Sequence, residues 1–216
     1  MKFHFMDREK WARRPYFEHY LNQKCTFSIT ANIDVTTLME QLRSKGIKLY
    51  PAFIYMVSRA VNAHPEFRTC FNDEGRLGYW EQMTPSYTIF HRDDQSFSSI
   101  WTAYSDNFHV FHENYQKDLK QYADVKGLFT KDDIPLNTFP ISSIPWVGFT
   151  GFNLNINNGY DFLLPIITGG KFFNQDGKTL LPVSLQVHHA VCDGYHAGRF
   201  MENLQELADH AHHWLP

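Results

Sequence analysis

Cysteine is scarce: Cys25, Cys70 and Cys192 are odd in number, widely spaced and never in a Cys-x-x-Cys pair. That arrangement supports neither a disulfide framework nor a structural zinc site, and the three read as reduced thiols. An excess of one charge is missing too, with 20 Lys and Arg against 23 Asp and Glu, so no basic surplus marks a nucleic-acid footprint. No stretch approaches the roughly eighteen uninterrupted apolar residues of a membrane span. The start reaches Asp7 without the apolar run of a signal peptide, so a soluble, cytoplasmic protein is expected. Gly-x-Gly-x-x-Gly, Gly-x-x-x-x-Gly-Lys-Ser/Thr, His-Glu-x-x-His and Gly-x-Ser-x-Gly are all absent. Backbone cradles for dinucleotides and triphosphates, and the zincin and serine-hydrolase sites, thereby lose their sequence support.

What is present is apolar and aromatic: 43% and 16% of the 216 residues, enough to bury one sizeable core. No repeat, low-complexity tract or linker divides the chain, so residues 1–216 are expected to form a single domain. Helices are expected over 7–20 behind an Asp7 cap, over 36–42 after Asp34, and from Pro51 through Phe53, Ile54, Val57 and Val61. Steps of three and four in Phe108, Phe111, Tyr115, Leu119 and Tyr122, and in Ala197, Phe200, Met201, Leu204 and Leu207, predict two more one-sided helices. Alternation in Cys25, Phe27, Ile29, Ala31 and Ile33 predicts a strand. A hairpin over 67–79 turns at Asn72-Asp73-Glu74-Gly75, and further strands are expected at 86–91, 96–102, 147–155, 162–168 and 180–187. The interleaving lacks regular βαβ alternation, so the expected architecture is α/β, a mixed β-sheet with helices packed on one face.

The chemistry gathers in Gln186-Val187-His188-His189-Ala190-Val191-Cys192-Asp193-Gly194-Tyr195-His196. On a strand, His188 and His189 point to opposite faces, so at most one looks into a given cleft. Asp193 suits a helix cap and Gly194 a turn. Three readings stay open from the residues alone: hydrogen-bonded core histidines, a metal site short of ligands, or a histidine general base, since imidazole titrates near neutral pH. Cys192 as a nucleophile has nothing visible to lower its pKa.

This segment resembles the active-site signature of the trimeric chloramphenicol acetyltransferases: Gln, an aliphatic residue, His-His, a small residue, two free positions, then Asp-Gly, an aromatic and His. Every fixed position is met. The shorter His-His-x-x-x-Asp-Gly core is shared with dihydrolipoamide acyltransferases, carnitine acyltransferases and condensation domains, so it alone specifies acyl transfer. The likeness runs through Trp11-Ala12-Arg13-Arg14, Tyr50-Pro51-Ala52-Phe53-Ile54, His64-Pro65-Glu66-Phe67-Arg68, Phe97-Ser98, Pro145-Trp146 and Phe152-Asn153-Leu154-Asn155.

The resemblance implies a two-layer α/β sandwich of the CoA-dependent acyltransferase kind. It implies a homotrimer with active sites in clefts between subunits, and neither a metal nor a prosthetic group. It further implies acetyl transfer from acetyl-CoA to the 3-hydroxyl of chloramphenicol by direct attack in a ternary complex. His189 matches the base, its outer nitrogen taking the hydroxyl proton and its inner nitrogen fixed by its own backbone carbonyl. Ser142 matches the oxyanion donor and Thr168 a water-holding residue; Asp193 pairs with Arg13 to organise the site. Tyr20, Cys25, Phe27, Phe97, Phe129, Phe152, Leu154 and Ile156 match the drug pocket. Trp146, Lys48, Lys171 and Phe172 match the coenzyme A tunnel. Phe172 stands where tyrosine is frequent, Tyr195 where phenylalanine is commoner, and Gly151 where serine is frequent. His210, His212 and His213 are expected to be exposed on a frayed C-terminal helix. The rival readings are a CoA-dependent O-acyltransferase with another hydroxyl acceptor and a non-catalytic drug-binding protein.

Overall fold

The computed structural model describes residues 2–154 and 162–216. Its main sheet is mixed. β2 (Thr26–Asp34), β10 (Lys178–His188), β8 (Ile166–Gly169), β7 (Thr138–Ser143), β5 (Thr84–His91) and β6 (Ser96–Trp101) lie side by side in that order. The β5–β7 and β7–β8 pairs are parallel and the rest antiparallel. β9 (Phe173–Gln175) folds back on β10 through a tight turn, with Asp176 and Gly177 both at positive φ. A separate three-stranded sheet joins β1 (Phe3–Phe5), β4 (Leu77–Trp80) and β3 (Thr69–Phe71). The expected hairpin is its β3–β4 part, turned by Gly75 at φ +72° and by Asn72 Oδ1 accepting from the N–H groups of Glu74 and Arg76.

Period-two alternation sorts the two faces of β10. Leu181, Val183, Leu185 and Val187 are buried with Ile33 of β2 and with the helices. Those helices are α2 (Thr36–Ser44), α3 (Leu49–Ala63), which buries Phe53, Ile54, Val57 and Val61, and α5 (Gly194–Asp209), which buries Ala197, Phe200, Met201 and Leu204. α4 (Phe108–Tyr122) adds Phe111 and Tyr115, its first turn capped by the Asn107 side chain. On the opposite face of β10, Ser184, Gln186 and His188 are buried polar residues.

Three expectations are corrected. The first helix, α1, spans Arg14–Asn22 and not 7–20, because Pro15 suits the first turn, where no N–H is needed; Asp7 instead closes a local turn with Glu9 and Lys10. No strand forms over 147–154. There Ser184 Oγ donates to Phe152 O, and Gln186 clasps both backbone groups of Leu154 at 2.7 Å, so side chains take the place of a ladder. The C-terminus is not frayed. The three histidines are exposed, but Trp214 packs on Tyr55 and Phe108 and Leu215 is buried. No helix among the described residues is long and apolar enough to cross a membrane.

Candidate active site

His189 lies one residue past β10, where its N–H still donates to Cys25 O at 2.8 Å and prolongs the β2 pairing. The chain then turns tightly, with the N–H groups of Val191 and Cys192 both on His188 O, and Asp193 takes the N-cap position of α5. Its N–H donates to His196 Nδ1 at 3.0 Å, so the reciprocal cap comes from histidine.

Arg13 binds this turn with all three guanidinium nitrogens. Nε donates to Ala190 O and Nη2 to His189 O, both at 2.9 Å; Nη1 and Nη2 hold the Asp193 carboxylate at 2.5 and 2.7 Å. Burial opposes the Arg13 charge, yet the Asp193 carboxylate outweighs it and raises the guanidinium above its ordinary value. In return Arg13 holds the Asp193 carboxyl below the ordinary carboxylate value. This is a bidentate, charge-assisted pair that fixes geometry.

The His189 ring is stacked on Tyr20, centroids 3.7 Å apart and planes nearly parallel, with Phe27 against it edge-on at 5.2 Å. Its Nδ1 lies 3.0 Å from the carbonyl of Cys192. The holding carbonyl is thus not the one expected, since His189's own carbonyl accepts from Arg13. A carbonyl can only accept, so Nδ1 carries the hydrogen and the neutral ring presents a lone pair at Nε2. His188 has the opposite tautomer: its Nδ1 accepts from the Ala190 N–H at 3.1 Å, inside the core. Cys192 is buried, which pushes its thiol up and away from nucleophilic use.

A second group forms farther along the sheet. Ser142 on β7 pairs in register with Thr168 on β8, and Thr168 with Ser184 on β10. Thr168 is buried and Ser142 half-buried, with no hydrogen-bond partner for the Ser142 hydroxyl among the described residues. Phe152 and Leu154 lie over this row through their bonds to Ser184 and Gln186. At the far edge, Phe129 bridges to Ser99 of β6, and Phe97 pairs across to Phe90 of β5. Phe97 and Phe129 are 53% and 63% exposed. Ile156 lies outside the described residues.

Phe90 meets Trp146 edge-on at 4.6 Å. Trp146 and Lys48 line a cleft of about 600 Å³ together with Tyr50, Arg92, His112 and Gln116. Among the described residues no carboxylate lines it, and burial lowers the His112 pKa, so Lys48 and Arg92 set its charge. Lys171 and Phe172 are exposed and do not line it; the Lys171 N–H donates to the carbonyl of Val147, the residue after Trp146, at 3.0 Å. Arg92 and Gln116 escaped the sequence reading because one sits in a charged turn and the other on the polar side of α4; neither has a pattern to mark it.

Ser142 and His189 do not meet within one chain. Four residues along β10 and two strands across separate His188 from Ser142, which places their backbones about 16 Å apart. Phe97 and Phe129 are farther still.

A family model for chloramphenicol acetyltransferase matches residues 1–205. The chain belongs to that family. Chloramphenicol acetyltransferases of Clostridium perfringens, Clostridium butyricum and Staphylococcus aureus are 56%, 53% and 50% identical to it; each alignment covers all of this chain and at least 99% of the relative. A solved chloramphenicol acetyltransferase superposes with a TM-score of 0.85 at 19% identity, covering 96% of this chain and all of that one. The dihydrolipoamide acetyltransferase of Azotobacter vinelandii superposes at 0.68 and 16% identity, covering 94% and 88%. The protein is thus an acyltransferase with the mixed-sheet fold of the CoA-dependent acyltransferases.

Proposed function

We propose that the protein inactivates chloramphenicol by moving an acetyl group from acetyl-CoA to the drug's 3-hydroxyl, in a ternary complex without an acyl-enzyme. When bound, acetyl-CoA supplies the thioester carbonyl that the hydroxyl attacks. His189 Nε2 takes the hydroxyl proton and passes it to the departing coenzyme A sulfur, and general-base catalysis of this kind contributes roughly 10²- to 10⁴-fold. Ser142 donates to the oxygen on which negative charge develops, and Thr168 holds a water beside it. Arg13 and Asp193 keep the turn beneath His189 rigid; Asp193 positions the ring and relays no proton. The observation that carries the reading is the His189 ring itself, stacked on Tyr20 with its hydrogen committed to Cys192 O. That leaves the Nε2 lone pair to accept the hydroxyl proton.

The separation of Ser142 from His189 supports sites shared between copies of the chain, which we read as the homotrimer that the family resemblance implies. His189, Tyr20, Cys25 and Phe27 form one wall, and Ser142, Thr168, Phe97, Phe129, Phe152 and Leu154 of the next copy form the other. The exposed aromatics of the second wall suit an apolar drug. For the acyl donor, the acid-free cleft with Lys48 and Arg92 suits a phosphorylated tail, and the Trp146 indole suits the chain that joins it to the thioester. Three free thiols accord with a reducing cytoplasm. The test is release of coenzyme A thiol on mixing acetyl-CoA with chloramphenicol. Drug-dependent release is expected; none above background would overturn the reading, and binding without release would favour a sequestering protein.

A further inference from the structure

The irregular segment 123–137 presents Phe129, whose side chain is too exposed to be located by its own packing. What locates it is a set of backbone tethers to β6. Ser99 N–H donates to Leu128 O at 2.8 Å on one side. On the other, Lys131 Nζ donates to Trp101 O at 3.0 Å and lies 3.8 Å over the Trp101 ring, while Trp101 Nε1 donates to Asp132 O at 3.2 Å. Lys131 is anchored in turn by Asp118 of α4 at 2.6 Å, and both side chains are about 85% shielded from solvent. Behind Asp118 the polar chain enters the core. Thr102 Oγ1 donates to Asp118 Oδ2 at 2.7 Å, leaving Thr102 to accept from the Tyr87 hydroxyl at 2.7 Å; Thr102 and Tyr87 are fully buried. The row Tyr87, Thr102, Asp118, Lys131 therefore ties the fixed interior of the sheet to the loop two residues beyond Phe129.

We propose that Lys131, clamped by Asp118, is a positioning residue for the acceptor pocket: it fixes the backbone that aims Phe129 and so sets affinity for the drug without touching it. The inference rests on the chloramphenicol reading above. Removing the lysine leaves Asp118 without its counter-charge. The loop then loses its grip on Trp101, and Phe129 samples positions that do not meet the drug. The chemistry, which involves His189 and Ser142, is left unchanged.

The test is steady-state kinetics together with equilibrium chloramphenicol binding for Lys131→Met, Lys131→Arg, Phe129→Ala and the double variant Phe129→Ala/Lys131→Met. The neutral pair Asp118→Asn/Lys131→Met serves as a variant that leaves no bare buried carboxylate should Lys131→Met fail to fold. Lys131→Met and the neutral pair are expected to raise the KM and Kd for chloramphenicol about tenfold, with kcat and the acetyl-CoA KM within about twofold. Lys131→Arg restores wild-type values. In the Phe129→Ala background the lysine change adds nothing, because the residue through which it acts is gone. Unmoved drug affinity, a loss of kcat along with both KM values, or effects that multiply in the double variant would each overturn the inference. A wild-type protein that neither binds nor acetylates chloramphenicol would overturn the reading beneath it as well.

Discussion

The region around His189 and the region around Ser142 are built to different plans. At His189 the groups are already engaged: Arg13 holds two carbonyls and a carboxylate, the ring stacks on Tyr20, and its inner nitrogen is held by Cys192 O. Around Ser142 the hydroxyl has no partner among the described residues, and the aromatics Phe97, Phe129 and Trp146 are more than half exposed. One region is preorganised for a proton, and the other is open, as a half-site is before its neighbour arrives. On the proposed function, a catalytic constellation drawn from both needs two chains, and neither region is complete alone.

Removing the proposed base should have the largest effect. His189→Ala is expected to lower kcat by about 10³-fold or more while chloramphenicol affinity stays within about twofold, read from single-turnover kinetics and a binding titration. Ser142→Ala attacks the open region, and a loss of about 10²- to 10³-fold in kcat at nearly constant KM is expected. His188→Ala tests whether the neighbouring ring is structural. It should cost roughly 1–3 kcal/mol of stability in chemical denaturation, with turnover per folded molecule reduced far less than for His189→Ala. The smallest effect is that of pH on the Arg13–Asp193 pair. Because the folded Asp193 value is depressed, its stabilising contribution is present above the ordinary value of 3.8 and is lost as pH falls below it, through the folded value. Asp193→Asn should therefore flatten the acid limb of the thermal-midpoint profile and leave its shape above pH about 5 unchanged.

Much of this was legible in the sequence where one face is buried. α4 and α5 show their apolar steps, and β2 and the end of β10 their alternation, because those residues face a shared core. β7 was missed because Pro140, Ser142 and Ser143 break any alternation; it is held by parallel neighbours on both sides, which no local pattern records. β9 was missed although Asp176-Gly177 is a strong two-residue turn signal, since its strand is only Phe173–Gln175. The expected strand at 162–168 begins late, at Ile166, after Pro165, which has no N–H to give a ladder. In the site, the Arg13–Asp193 pair came from family resemblance; partners so far apart in sequence leave no spacing to read. The carbonyl holding His189 depends on how the turn closes, and Arg13 takes the one the resemblance implied.

Mixing two inactive chains tests the shared site most directly. His189→Ala and Ser142→Ala proteins, denatured together in equal amounts and refolded, should regain about a quarter of the wild-type activity, because a quarter of randomly formed interfaces would join an intact His189 to an intact Ser142. A mixture that stays as inactive as its parents would place both residues in one chain's site and contradict the account.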